Sequence, residues 1–385
     1  MRIGLVVGPA TGGIAVHAAA LAAAARARGH EVRLVGPAGT ADRCDLDGET
    51  WGHPLRAPIE VARRLAGCDL VHAHGARAGL VTALALGLSS LGLSDHLGLS
   101  DHLGLSDHQP PSSRRWLGWQ GTARRPAFVL TWHNPPRAPR AVQQVLARTA
   151  DLSLCVSRDL FAHVEALGGR PVLSPVTASR RPAADGARAR VRVELGLCGQ
   201  PLLLAVARLA PQKGLDVLVA AAALVAVQQM QRAQQAPTVA VAGEGPLAAQ
   251  LAAQAARSGV DLRLLGARSD IGDLLAAADV VVLASRWEAG PLAAQEAFLA
   301  GRPLVATDVG GVRELVGKGA VLVPPEDATA LAAAIGHLLR DPSAAALIGA
   351  AGRAQAAGWP SAEESLTRLL ACYDRLVAAP GGARE

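Results

Sequence analysis

Short strand-like runs, mostly apolar, recur along this chain, each closed by a polar or glycine-bearing turn. They fall at 3–7, 31–35, 69–74, 128–132 and 152–156 in the first half, and at 202–206, 238–242, 262–265, 280–284, 304–307 and 321–323 in the second. The run 280–284, apolar without a break, is the pattern of a parallel strand covered on both faces. Between the runs lie alanine-rich stretches long enough for helices, at 14–28 (stopped by Gly29), 215–227 and 328–339. Ser157 is placed to cap a helix beginning at Asp159. The uncharged stretch 78–94 carries Gly and Ser and reads as a buried helix rather than a membrane span. Near the end, Leu366, Leu369, Leu370, Tyr373 and Leu376 recur at close to helical spacing, which predicts a terminal helix over 361–377. Strands alternating with helices predict an α/β fold built on parallel sheets.

The alternation breaks twice. Over 177–190 it dissolves into Pro, Ala, Gly and Arg, the expected interdomain boundary. This gives two doubly wound, Rossmann-like domains, 1–183 and 184–360, facing across a cleft, with 361–385 expected to pack back on the first. The second break, 89–125, holds three identical copies of L-G-L-S-D-H at 91–108, followed by a Pro- and Arg-rich loop. Repeated Asp and His admit a metal-binding array. Nothing nearby completes a shell, so a surface insertion without a site is the expected reading.

The stretch 280–311 is a strand, a polar elbow, a helix and a second strand. Pro291 suits the first helical position, and Gly301 a left-handed stop. Glu288 then falls at the strand's C-terminal edge and Glu296 on the helix, where open α/β sheets bind ligands. Two such carboxylates suit the two ends of an extended polar ligand, with an anion meeting the N–H groups of Leu292 and Ala293. The loop 8–13, with Gly12 and Gly13, joins the first strand to the first helix. It has phosphate-approach character but lacks the full G-x-G-x-x-G fingerprint.

Composition narrows the reading. Hydrophobic residues make up 50 % and charged residues 18 %, which excludes a disordered chain. Of 38 basic residues only Lys213 and Lys318 are lysines, so a lysine inside a motif carries weight. Residues 1–190 hold 22 arginines against 14 acidic residues. That suits an anionic partner, such as a phosphorylated acceptor or an acidic membrane surface, as well as it suits arginines on solvated faces. Aromatics are 3 % and the arginines are dispersed, which argues against nucleic acid. Five scattered cysteines without a C-x-x-C pair argue against disulfides and a zinc site. The N-terminus reads as a strand and not as a signal peptide. The expected location is the cytoplasm, with peripheral contact at the inner face of the membrane as its extension.

Several motifs in fixed order resemble the family-4 retaining glycosyltransferases of the GT-B fold, over nearly the whole chain. They are the Gly12-Gly13 loop, T-W-H ending at His133, A-R-L-A-P-Q-K-G from Ala207, G-E-G-P from Gly243 and L-L-G-A-R-S-D-I from Leu264. The glutamates spaced E-x7-E and D-V-G-G-V-R-E-L after Thr307 complete the set. The resemblance implies a hexosyltransferase-like enzyme moving a sugar from a nucleotide-diphosphate sugar to a hydroxyl acceptor, with retention at the anomeric carbon. It implies that Arg208 and Lys213 bind the donor diphosphate, Glu296 the ribose and Glu288 the transferred sugar. His133 would lie by the donor sugar and phosphate, and Gly12 and Gly13 by the diphosphate. Gly266 and Arg268 would hold the base largely through the backbone, and Gly290 and Leu292 would line the elbow. Glu288 and His133 are thus the candidate catalytic residues. No cofactor and no metal are expected. The chemistry agrees: two cations neutralise charge developing on a diphosphate leaving group, and carboxylates accept hydroxyl donors well.

The chain departs from the family pattern in two places. The usual G-F-G-L after the first glutamate is Ala289-Gly290-Pro291-Leu292 here, so Pro291 removes one N–H from the elbow. The usual P-N-G-V before the linker is Ser174-Pro175-Val176-Thr177. The rival readings are a nucleotide-sugar epimerase or phosphorylase on the same fold, and a catalytically degenerate nucleotide-sugar-binding protein. A two-carboxylate glycosidase would leave the Arg/Lys pair and the glycine loop unexplained.

Overall fold

Each of these apolar runs forms a parallel β-strand in the computed structural model. The structure describes residues 1–8, 13–37, 48–51, 57–90, 125–134, 138–178 and 182–378. Gly12, the L-G-L-S-D-H repeats and all of the insertion up to residue 124, apart from 89 and 90, lie outside the described residues, as does 379–385. The chain divides into two units, Met1–Pro175 with Glu363–Glu385, and Val176–Ala362.

The first unit carries β1 (Arg2–Val7), β2 (Glu31–Pro37), β3 (Gly48–Trp51), β4 (Leu70–His74), β5 (Ala127–Trp132), β6 (Leu152–Cys155) and β7 (Pro171–Leu173). They form one seven-stranded parallel sheet in the order β3-β2-β1-β4-β5-β6-β7. β3 and β7 were not legible as apolar runs. Both are short edge strands, and an edge strand needs no continuous apolar face. On one face Ile3, Leu5, Val7, Val32, Leu34, Leu70 and Val129 pack against Leu21 and Ala22 of the helix Gly13–Ala27. Leu369, Leu370 and Tyr373 of the helix Ala362–Ala378 join the same core, so the terminal helix belongs to this unit.

The second unit carries β8 (Leu202–Val206), β9 (Thr238–Ala242), β10 (Asp261–Leu264), β11 (Val280–Leu283), β12 (Leu304–Thr307) and β13 (Ala320–Val323). Their order is β10-β9-β8-β11-β12-β13, all parallel. Alternate residues feed two cores. Leu203, Ala205, Val280 and Val282 face the helices Leu215–Met230 and Ala328–Arg340. Leu202, Leu204, Val281 and Leu283 face the helices Ile271–Ala277 and Leu292–Leu299. Burial on both faces is why β8 and β11 read as unbroken apolar runs, whereas the edge strand β10 carries Asp261 and Arg263 on an exposed face. The stretch Pro211–Met230 is long and apolar enough to cross a membrane, but Leu215, Leu218, Val219 and Val225 lie in this core.

Three local expectations are corrected. The stretch 177–190 is not wholly irregular, because the helix Ala187–Glu194 begins inside it. Arg188 and Arg192 from that helix both reach Asp279, whose carboxyl sits below its usual range through Arg188 and the Leu202 N–H, against the opposing effect of burial. Ser157 does occupy the N-cap of the helix Arg158–Ala166, but its hydroxyl turns to the Asp159 carboxylate and makes no backbone cap bond. Pro291 is the N-cap of the helix Leu292–Leu299 and not its first residue, since its ψ of 115° is still extended. Gly301 stops that helix as expected, at φ +64°, with Gly301 N–H donating to Phe298 and Arg302 N–H to Ala297.

Candidate active site

In each sheet the order reverses once, between β1 and β4 and between β8 and β11. At such a switch point the loops leave the sheet edge in opposite directions and open a crevice. In the second unit the two loops at that point are 207–214 after β8, with Arg208 and Lys213, and 284–291 after β11, with Glu288. The topology therefore brings together two motifs separated by more than 70 residues.

The contact between them is direct. Lys213 Nζ lies 2.5 Å from Glu288 Oε1, and Ser285 Oγ donates to the same oxygen at 2.6 Å. The Glu288 side chain is 8 % exposed and that of Lys213 21 %. A carboxylate so far from water needs charge-assisted donors, and it has two. Further bonds hold the loops. Gln212 Nε2 donates to the Trp287 carbonyl at 2.8 Å, and Arg286 N–H to the Gln212 carbonyl at 2.8 Å. The Arg286 guanidinium grips both oxygens of Asp216 at 3.1 and 2.8 Å and Glu326 at 3.0 Å. Arg286 accordingly holds the Asp216 carboxyl below its usual range.

The neighbouring strand ends contribute backbone. Leu209 N–H donates to the Glu244 carbonyl at 2.9 Å, and Gly243 N–H to the Gly266 carbonyl at 2.7 Å. The G-E-G-P turn is thereby tied to both the Arg208 loop and the Gly266 loop. Arg268 is engaged elsewhere. Its guanidinium pairs with Asp270 at 2.6 Å and Glu194 at 2.6 Å, which raises its pKa further and commits the side chain to bracing the helix Ala187–Glu194. Glu296 is half-buried on the helix Leu292–Leu299, Gly290 and Leu292 are half-buried at the elbow, and Arg208 is exposed.

Gln295, beside Glu296, has a structural task instead. Its amide oxygen accepts from Ala178 N–H at 2.8 Å and its amide nitrogen donates to the Val176 carbonyl at 2.9 Å. This ties 176–178 to the second unit.

In the first unit the sheet edge near its own switch point holds four histidines. His74 Nδ1 is 3.4 Å from His133 Nε2, and the His74 ring lies 4.1 Å from that of His72 and 5.6 Å from that of His17. His72 bonds Thr131 Oγ1 at 2.6 Å and, with its other nitrogen, the hydroxyl of Tyr373 on the terminal helix. Burial pushes all four imidazoles down: His17 to about 4, His133 to about 3, and His72 and His74 well below the usual value. They are neutral at pH 7. Gly13, exposed, opens the helix that carries His17.

The structure thus unites Arg208, Lys213, Glu288, Gly290, Leu292, Glu296, Gly266 and Arg268 at one sheet edge of the second unit, and places Gly13 and His133 in the first. Sequence reasoning missed Ser285, whose only signal was its place three residues before Glu288. It also missed the Arg286–Asp216 brace and the partnership of His17, His72 and His74 with His133.

Two Rossmann-like parallel-sheet units with their ligand motifs at strand ends define the GT-B fold class. Solved structures agree at the level of fold. The Anabaena protein HepE in complex with UDP and glucose superposes with a TM-score of 0.77 at 19 % identity, covering 97 % of this chain and 100 % of that one. Residues 200–341 match the family described as "Glycosyl transferases group 1" and residues 11–119 match "Glycosyltransferase Family 4". The chain belongs to this family-4 group of glycosyltransferases. It is 33 % identical over 219 residues to a glycogen synthase of Mycobacterium tuberculosis, covering 54 % of this chain and 50 % of that one. It is 31 % identical over 240 residues to a GDP-mannose-dependent phosphatidylinositol monomannoside mannosyltransferase of Mycolicibacterium smegmatis, covering 58 % and 61 %. The chain spans about half to three-fifths of the length of these relatives.

Proposed function

We propose that this protein transfers a hexose from a nucleoside-diphosphate sugar to a hydroxyl acceptor, with retention at the anomeric carbon. The observation that carries the reading is the Lys213–Glu288 contact at the β8/β11 switch point. It sets a cation suited to a diphosphate against a carboxylate suited to sugar hydroxyls, within one ligand's reach. Arg208 and Lys213 take the diphosphate, and Lys213 exchanges its carboxylate partner for phosphate oxygens when the donor arrives. As the bond between sugar and phosphate breaks, negative charge grows on the departing phosphate, where these two cations stabilise it. Glu288 accepts hydroxyls of the transferred sugar and Glu296 those of the ribose. The base lies along the backbone of 266–268, and the elbow at Gly290 and Leu292 closes around phosphate and sugar.

His133, neutral at pH 7, serves as a hydrogen-bonding group rather than as a proton reservoir. The acceptor hydroxyl loses its proton to the leaving phosphate on the same face of the sugar, so no enzyme nucleophile is required. No metal enters the scheme, and the reaction is assigned to the cytoplasm.

The HepE complexes hold UDP and glucose, and the mannosyltransferase named above uses GDP-mannose, so both bases belong in the test. A thermal-shift panel of UDP-, GDP- and ADP-sugars should raise the melting temperature with one donor. NMR of the product should show the donor's anomeric configuration. A panel without any shift refutes the reading, and an inverted product refutes retention.

A further inference from the structure

Both donors to the Glu288 carboxylate converge on a single oxygen, Oε1, and they differ in kind. Lys213 is a compact ammonium on a flexible four-carbon stem, partly exposed and matched to an incoming diphosphate. Ser285 is 1 % exposed and has no such second use. The backbone from Ser285 to Glu288 is fixed from several sides. Thr307 Oγ1 donates to the Ser285 carbonyl at 2.6 Å, Gln212 Nε2 to that of Trp287 at 2.8 Å, and Gly311 N–H to that of Glu288 at 2.9 Å. Gly310, at φ +49°, comes so near that a Cβ there would lie 2.1 Å from the Glu288 carbonyl oxygen. The hydroxyl therefore has a defined position, and toward an ionised carboxylate it acts as donor.

We infer that Ser285 is a positioning residue for Glu288: it pins Oε1 permanently, so that the second oxygen stays available to a sugar hydroxyl after Lys213 has turned to the diphosphate. Without Ser285, the transfer of Lys213 to phosphate would leave a nearly buried carboxylate with neither of its two donors. The inference rests on the donor reading above for its consequence, but its geometry can be tested alone.

The geometric test is a crystal structure of unliganded Lys213→Met. The Glu288 carboxylate is expected to remain on Ser285 in a single rotamer. A carboxylate swung away from Ser285 overturns the inference whether or not a donor is ever found. The functional test compares calorimetric affinities of wild type, Ser285→Ala and Ser285→Thr for the nucleoside diphosphate and for the nucleotide sugar identified by the panel. Ser285→Ala should weaken the nucleotide sugar about tenfold, as for one charge-assisted hydrogen bond, and the diphosphate less than about twofold. Ser285→Thr should restore the difference. Equal weakening of both ligands means a loosened loop, and no weakening of either means an idle hydroxyl; each result overturns the inference. Failure of every nucleotide sugar to bind wild type overturns the donor reading instead, and the Lys213→Met structure still decides the role of Ser285.

Discussion

A Cβ on Gly214 would lie 2.0 Å from the carbonyl oxygen of Ala284. The two backbones, leaving β8 and β11, touch at this point. The contact brings Lys213, one residue before Gly214, within reach of Glu288, four residues after Ala284. Gly214 also sits at φ +58°, a left-handed conformation open to glycine at little cost.

Gly214→Ala should therefore destabilise the second unit by roughly 2–4 kcal/mol, combining backbone strain with a collision against an atom that cannot move aside. Urea denaturation checks this. Donor affinity should fall with it, because separating the two loops separates Lys213 from Glu288.

Lys213→Ala and Glu296→Ala should each weaken nucleotide-sugar binding by about 1–3 kcal/mol, the range for losing a partner of a charged hydrogen bond. Calorimetry with the donor found by the panel measures this. Unchanged affinity in both variants would remove the assignment of these residues.

Tyr373→Phe should cost the first unit about 1–2 kcal/mol. It deletes the hydroxyl that satisfies a buried nitrogen of His72 and leaves the packing of the ring in place. Hydrogen-exchange protection of β4 should fall, while that of β11 should not. Equal protection of β4 in both proteins would show that the bond contributes nothing.

The histidines set a pH dependence. A folded pKa depressed below the ordinary 6.5 means that the unfolded chain binds more protons between the two values, so stability falls as pH drops through that window. For His133 the window runs from about 6.5 to about 3, and for His17 to about 4. Each fully depressed histidine costs about 1.4 kcal/mol per pH unit inside it. Asp216, Asp270 and Asp279, held below 3.8, lose their contributions only at still lower pH. Opening free energies of β4 and β5 amides should thus be smaller at pH 5 than at pH 7. Equal values at the two pH values would mean that the cluster is protonated in the folded state.

Much of this was written in the order of residues. Strands buried on both faces, such as β8 and β11, are apolar throughout and were legible for that reason, while at the sheet edges β10 and β13 kept enough apolar residues to be read and β3 and β7 did not. The helix Pro342–Ala357 was missed although Asp341, which accepts from Ala344 N–H at 2.9 Å, and Pro342 are an ordinary cap and first residue. The helix Ala187–Glu194 hid behind its arginines, which are spent on Asp279 and on the carbonyls that end the helix Ile271–Ala277.

By itself the sequence determined the fold class, the family and the residue types at the site, because strand periodicity and motif order are properties of the one-dimensional chain. Only the tertiary structure decided which groups touch. Lys213 and Glu288 are 75 residues apart and meet because β8 and β11 are neighbours at the point where the sheet order reverses. Ser285 became visible only there, since one hydroxyl in a polar elbow looks like any other until its bond to a buried carboxylate is seen. Arg268 and the four histidines follow the same logic. Their charge states and partners depend on burial and on strands brought together from distant parts of the chain.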